Sequence, residues 1–535
     1  LYLEQQDFLE PQINAFMKSI INSFRRKTDR YAKTPIFGKV MFLVLGILTT
    51  TWFLIRVIPK PQRATYPCMQ ASAPFMSAFV VYLLTLAGSI KAFSLARLNL
   101  KRAKYFYFGI FMILATAGSF TFFAQNPVHV FASSTPEWII TPNAPVGISK
   151  GIHPGLVAWV HNPKAAQWDG TTGFWWDDAN NPQAETDKMM SETLLSLTGE
   201  KTPTKAWKAL FVSFNQTKKG KSEGYQPTQK IAIKINANNN SSQANCNEIN
   251  ASPQLTLSLL RTLIKDGSVP QKNITVFDAS RFITDNIFDK CHAEFPDVIF
   301  VDNVGGNGRV KATYIEKAIP YSVDNGKLDQ GLATCAMDAD YLISVALLKG
   351  HVGQGVTLCG KNYYGVTSIN SDWRKNAHDN FDQNREGKPK YMTFVDFLGH
   401  KDLGGKTMLF LIDGLYGAKL VNGIPTPKWQ MAPFNNNWPC SLFASQDGVA
   451  VDAVGLDFIR SEWPDALDIK FSDQYLLEAA QANNPPSKAI YDPERDGTRL
   501  SSLGVIEHWN NATEKKYSQN LGKKNGIELV EKTIQ

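Results

Sequence analysis

Residues 341–351 read Tyr-Leu-Ile-Ser-Val-Ala-Leu-Leu-Lys-Gly-His, and residues 231–236 read Ile-Ala-Ile-Lys-Ile-Asn. Each is a short apolar run that stops abruptly at lysine and a second polar residue. Strands buried on both faces lose the alternation of half-buried ones, so Ile231–Ile235 and Tyr341–Leu348 are predicted as central strands of a parallel sheet. The chain between and beyond them fits. Ser252-Pro253 starts a helix, with a capping serine followed by proline at the first helical position. That helix presents Leu255, Leu259, Leu260 and Leu263 and ends at Gly267. Strand Ile274–Phe277, a helix around Asp285–Phe295, strand Val298–Val301, strand Thr407–Ile412 and a helix around Val449–Ile459 complete the pattern. Strands alternating with helices predict an α/β fold with a mostly parallel, Rossmann-like sheet. Upstream, Leu156–Val160 reads as a strand and 186–214 as helical.

The N-terminal part has another character. Val40–Ile55, Ala71–Ile90 and Tyr105–Ala124 are uncharged and apolar. A membrane-spanning helix needs about 20 such residues, so three transmembrane helices are expected to precede the α/β domain. Lys and Arg crowd the tail before the first segment and the loop between the second and third, which assigns both to the cytoplasmic side. The expected organisation is a cytoplasmic tail over 1–38, a three-helix region over 39–125, a linker over 126–150 and a periplasmic α/β domain over 151–535. The location that follows is the bacterial inner membrane, multi-pass, with the lipid bilayer and other inner-membrane subunits as partners. The net charge is +8, and much of the basic excess flanks the apolar segments. No run of basic residues interleaved with aromatics marks a nucleic-acid surface.

In open parallel sheets ligands bind beyond the carboxyl ends of the strands. Lys234 and Asn236, Asp278, Asp302, Lys349 and His351, and Asp413 all fall at predicted strand ends. The segment 349–365 adds Thr357, Lys361 and Asn362 among five glycines, which let backbone approach a ligand closely. Lysines with orientable amides and hydroxyls suit a carboxylate or phosphate; the same composition also describes a Gly-rich surface loop with solvated lysines. The expected site has Lys234, Lys349 and Lys361 anchoring a small anionic ligand, Asn236 and Asn362 orienting it, and His351 with Asp278 or Asp413 moving protons. The glycine spacing is neither a Walker A loop nor a GxGxxG fingerprint, no His pair has zincin spacing, and no G-x-S-x-G elbow is present. None of the six cysteines forms a C-x-x-C pair. The sequence thus assigns neither cofactor nor metal.

These motifs carry a resemblance. Ile233-Lys234-Ile-Asn236, Asp340-Tyr-Leu-Ile-Ser, Leu348-Lys349-Gly-His351, Lys361-Asn362…Gly365, Ile412-Asp413-Gly414 and Ser445-Gln-Asp447-Gly-Val-Ala-Val-Asp452 stand in this order. Residues from about 150 to 530 resemble the bacterial family called domain of unknown function 362, in a membrane-anchored subgroup. The stretch Ser502–Asn510 looks like a mark of that subgroup, in which the position of Ile506 is often His. Some relatives carry ferredoxin-like cysteine motifs that this chain lacks, so the resemblance implies no iron–sulfur role here. It implies the domain and the site positions, and no reaction. Two functions follow as expectations: an enzyme or binding domain for a small anion, or a non-catalytic accessory subunit of a membrane complex.

Overall fold

The computed structural model describes residues 140–535 except 240, 324–329, 352–354, 368–388, 421–422, 426 and 467–470, with scattered residues between 47 and 110. The described part of the C-terminal unit, Pro136–Gln535, is built on a ten-stranded sheet. In chain order its strands are β1 (Leu156–His161), β2 (Ile231–Ile235), β3 (Ile274–Phe277), β4 (Ile299–Asp302), β5 (Val310–Lys311), β6 (Tyr341–His351), β7 (Gly355–Thr357), β8 (Thr407–Ala418), β9 (Ser441–Ser445) and β10 (Glu528–Thr533). Across the sheet the order is β10-β1-β9-β8-β6-β2-β3-β4-β5, with β7 folded back on β6 as a hairpin. Only β7 and β9 run antiparallel to their neighbours within it.

The central strands are apolar because they are covered on both sides. Along β6, Ile343, Val345 and Leu347 face one core, while Leu342, Ala346 and Leu348 face the other. The first face is packed by helices α1 (Gln183–Thr198), α2 (Pro203–Lys219), α3 (Pro253–Arg261) and α4 (Asp285–Glu294). On the second lie the helical turn α5 (Cys359–Asn362), α6 (Thr393–Gly399), α7 (Gly448–Glu462) and α8 (Asp473–Ala480).

Several helix boundaries follow local chemistry. Ser252 caps α3, its side chain accepting from Leu255 N at 3.2 Å, with Pro253 in the first turn as expected. The helix ends α-helically at Arg261 and continues as one wider turn, Thr262–Asp266, to Gly267. The helical region expected over 186–214 comprises two helices. Gly199, at φ +70°, closes α1 in the left-handed region, and Thr202-Pro203 caps and opens α2; glycine takes that conformation without the Cβ clash.

The expectation of three transmembrane helices is corrected. Among the described residues no helix is long and apolar enough to cross a membrane. Apolar length matches bilayer thickness only if it forms one unbroken helix of about 20 residues, and no described helix does. The segments 40–55, 71–90 and 105–124 themselves lie almost entirely outside the described residues. The multi-pass inner-membrane location and the periplasmic side rested on those crossings and fall with them. The α/β class and the mostly parallel sheet stand.

Replacing Ser252 by Ala should lower unfolding stability by about 1 kcal/mol, the usual cost of a lost serine cap. Urea unfolding followed by circular dichroism checks this, and an unchanged midpoint would show that Pro253 and packing alone hold the start of α3.

Candidate functional site

The chain leaves β2 for β3 on one side and later returns to place β6 on the other. Such a reversal of winding is a topological switch point, and it opens a crevice beyond the carboxyl ends of the flanking strands. Here the crevice is a cavity of about 220 Å³. Asn236 enters it from the end of β2, Asp278 from the end of β3, and Lys349 and His351 from the end of β6. Lys361, Asn362, Tyr364 and Gly365 close it from the segment beginning at α5.

Lys234 lies beneath this cavity and is 1% exposed. A buried ammonium is costly unless its protons are bonded, and here three acceptors surround it. Lys234 Nζ donates to Asp278 Oδ2 at 3.0 Å, to Asn362 Oδ1 at 3.0 Å and to its neighbour's carbonyl, Ile235 O, at 2.6 Å. Burial still holds its pKa below the usual lysine range, with Asp278 opposing the shift. Asp278 also accepts from Ala237 N and Ser280 N. The Asn362 amide donates to Lys234 O, Ser344 Oγ and Val345 O, so one side chain ties β2 to β6. Gly365 passes so close that an added Cβ would strike both Lys234 Nζ and Asp278 Oδ1.

The carbonyl, amide and carboxylate groups of this layer are spent on one another. The face above them is cationic. Lys349 is 1% exposed, donates to Asn238 Oδ1 at 3.3 Å, and is lowered to about 7 by burial, with the charge of Arg281 adding. Lys361 is buried and lies 5.0 Å above the Tyr364 ring. Its segment is held by Asp452 of α7, on the same face of the sheet, which accepts from Cys359 N at 2.7 Å and Gly360 N at 2.8 Å.

Asp413 stands apart from the cavity. β8 continues past the expected end at Ile412 to Ala418, so Asp413 is an internal strand residue at a break in the β6–β8 register. Its carboxylate accepts from Ser252 N at 2.9 Å and Leu415 N at 3.2 Å. Burial raises it to about 6, and the two backbone bonds oppose that shift. Asp302 is likewise bound into its own loop, accepting from Val304 N, Gly305 N, Ile283 N and Gln243 Nε2. Sequence reading passed over Asn238, Ser280 and Arg281, which line the cavity. All three stand within four residues of a strand end, the signal that selected Asn236 and Asp278. Among the described residues no group of three or more His, Cys, Asp or Glu side chains could hold a metal ion, and the five described cysteines are free thiols. A larger cavity, about 350 Å³, lies at the amino-terminal ends of the strands and includes none of these residues.

Residues 231–457 match the family described as domain of unknown function (DUF362). The span takes in every residue of the cavity, and over it the sequence resemblance is borne out; it does not reach a membrane-anchored subgroup. Comparison with curated proteins gave no match.

Lys234 and Lys349 should respond differently to substitution. Lys234→Met leaves Asp278 buried without its cation and should cost about 3–5 kcal/mol. Lys349 binds its proton less tightly folded than unfolded. Between pH 7 and about 10 the unfolded chain therefore holds more protons, and wild-type stability should rise relative to Lys349→Met, by at most about 1.4 kcal/mol per pH unit. Urea unfolding of both variants across pH 6–10 checks this; a pH-independent gap for Lys349→Met would mean an ordinary lysine.

Proposed function

We propose, for a chain whose residues 231–457 form a domain of the family called domain of unknown function 362, that the switch-point cavity binds a small carboxylate or phosphate. The observation that carries this is Lys349, buried at the cavity wall and held near neutrality, with Arg281 and Lys361 on the same wall. The charge of Arg281 disfavours the charged form of Lys349, and an anion between them would offset that repulsion. A bound anion favours the charged form of Lys349, so binding takes up a proton. Lys349 is thereby the group that anchors the ligand and carries the proton, with His351 at the rim as its exchange partner.

Lys234, Asp278 and Asn362 take a different part from the one sequence suggested. Their polar atoms are engaged with each other, so they are positioning residues that fix the ends of β2 and β6. Asn236 and Asn238, on the segment leaving β2, are the amides placed to orient the ligand. Asp413, remote from the cavity, holds the start of α3. In an enzymatic form of this reading the ammonium of Lys349, protonated on binding, gives its proton to the bound ligand, because a lysine titrating near pH 7 is matched to acid–base work at that pH. The convergence of these residues on one cavity speaks for a ligand site over an accessory subunit, for which they would be dispersed.

Titration calorimetry of the full chain with inorganic phosphate, acetate and succinate tests the proposal. In buffers of different ionisation enthalpy, binding should take up close to one proton per ligand at pH 8. Affinity should weaken about tenfold per pH unit above pH 7, and Lys349→Met should abolish both effects. The reading fails if none of the three anions saturates the chain, or if affinity is independent of pH and of Lys349.

A further inference from the structure

The larger cavity is bounded by α2, by the loop before β1, by the end of α6 and by the starts of β8 and α7. Thr407, at the start of β8, pairs with Leu342, whereas Lys349 stands seven residues further along β6. At about 3.3 Å per residue the two cavities are about 23 Å apart along the sheet. The second is therefore a separate space and not an extension of the first.

Its lining has two parts. Phe214, Leu398, Met408 and Phe410 make an apolar wall. Lys150 and Lys218 make a cationic one, and among the described residues neither ammonium has an ion-pair or hydrogen-bond partner. Asp447, whose charge acts on Lys150, also holds backbone. Asp447 accepts from the backbone N–H of Lys150, Val505, Val449 and Ala450, which fills both oxygens while it caps α7. Lys150 is held below its usual range by burial first, with Asp447 opposing and Lys218 adding to the shift. A cavity of about 350 Å³ thus sets the half-buried Lys150 and the more exposed Lys218 beside an apolar wall whose side chains belong to the two packed cores.

We infer that this cavity is a second binding site, one that takes an amphipathic anion, an acidic head on an apolar body. The head lies between Lys150 and Lys218 and the body against Phe214, Met408 and Phe410. A purely inorganic anion would leave the apolar wall wet, and a neutral apolar molecule would leave two ammonium groups facing it.

Octanoate is the probe, with octanol, butanoate and inorganic phosphate as comparisons, titrated calorimetrically into the full chain. In the Lys349→Met background, which removes carboxylate binding at the switch-point cavity, octanoate should saturate one site, and octanol and butanoate should each bind at least tenfold more weakly. Adding Lys150→Met/Lys218→Met to that background should lower octanoate affinity at least tenfold. Trace acetylation of the wild-type chain gives a reading that needs no variant: octanoate should protect Lys150 and Lys218 at least threefold relative to the exposed Lys208. The inference is overturned if octanoate gives no selective protection, if adding the two lysine changes to Lys349→Met leaves octanoate affinity unchanged, or if phosphate protects both lysines equally. Loss of octanoate binding in Lys349→Met alone would place it in the switch-point cavity, which sinks this site and leaves the first reading standing.

Discussion

The ion pair between Lys234 and Asp278 is the constraint around which the centre of the sheet is organised. Both partners are almost wholly buried, where the attraction of a bare pair seldom repays desolvation. This pair persists because it is embedded in hydrogen bonds. Asn362 supplies an oxygen to Lys234 and spends its amide on three acceptors of β2 and β6. The Asp278 carboxylate receives backbone N–H groups from the turns after β2 and β3. Four pieces of chain distant in sequence meet at one charge pair, and Gly365 must lack a side chain for them to do so. The switch-point crevice inherits its shape from this layer.

A second layer of control comes from buried carboxylates that hold backbone. Asp447 fixes the start of α7, Asp452 the start of α5 and Asp413 the start of α3. Burial raises each of them to about 6, and each offsets that cost by accepting N–H groups that would otherwise be orphaned at a helix start. In the motif Ser445–Asp452, the two aspartates five residues apart reach different ends of the sheet's second face. One steadies the wall of the larger cavity, and the other steadies the segment that carries Lys361 and Asn362.

The sequence displayed the strands and the strand-end residues but not how their polar atoms are spent. Apolar runs ending in lysine located β2 and β6, and the rule for parallel sheets brought Asn236, Asp278, Lys349 and His351 to one crevice. Nothing in the order of residues distinguishes Lys234, saturated beneath the cavity, from Lys349 at its wall, because the difference lies in which partners the fold delivers. Asp413 looked like a strand-end residue because the hydrophobic run stops at Ile412, yet the strand continues through Gly414 and Gly417 to Ala418. β9 and β10 escaped notice because one runs against its neighbours and the other follows a long irregular stretch. The apolar N-terminal segments suggested bilayer crossings by their length and lack of charge, criteria that do not establish that one continuous helix forms.

The position of β9 has a consequence for how the chain is made. It runs antiparallel between β8 and β1, and β1 in turn pairs in parallel with β10. The first strand of the sheet to leave the ribosome thus finds both of its neighbours among the last, Ser441–Ser445 and Glu528–Thr533. Domains commonly fold from the N-terminus during synthesis, and contacts of high sequence separation slow folding. β1 must wait, unpaired and apolar, while nearly 300 further residues emerge. β2 and β3, whose pairing is close in sequence, can form early during synthesis, whereas β1 completes its pairing only once β9 and β10 have been made.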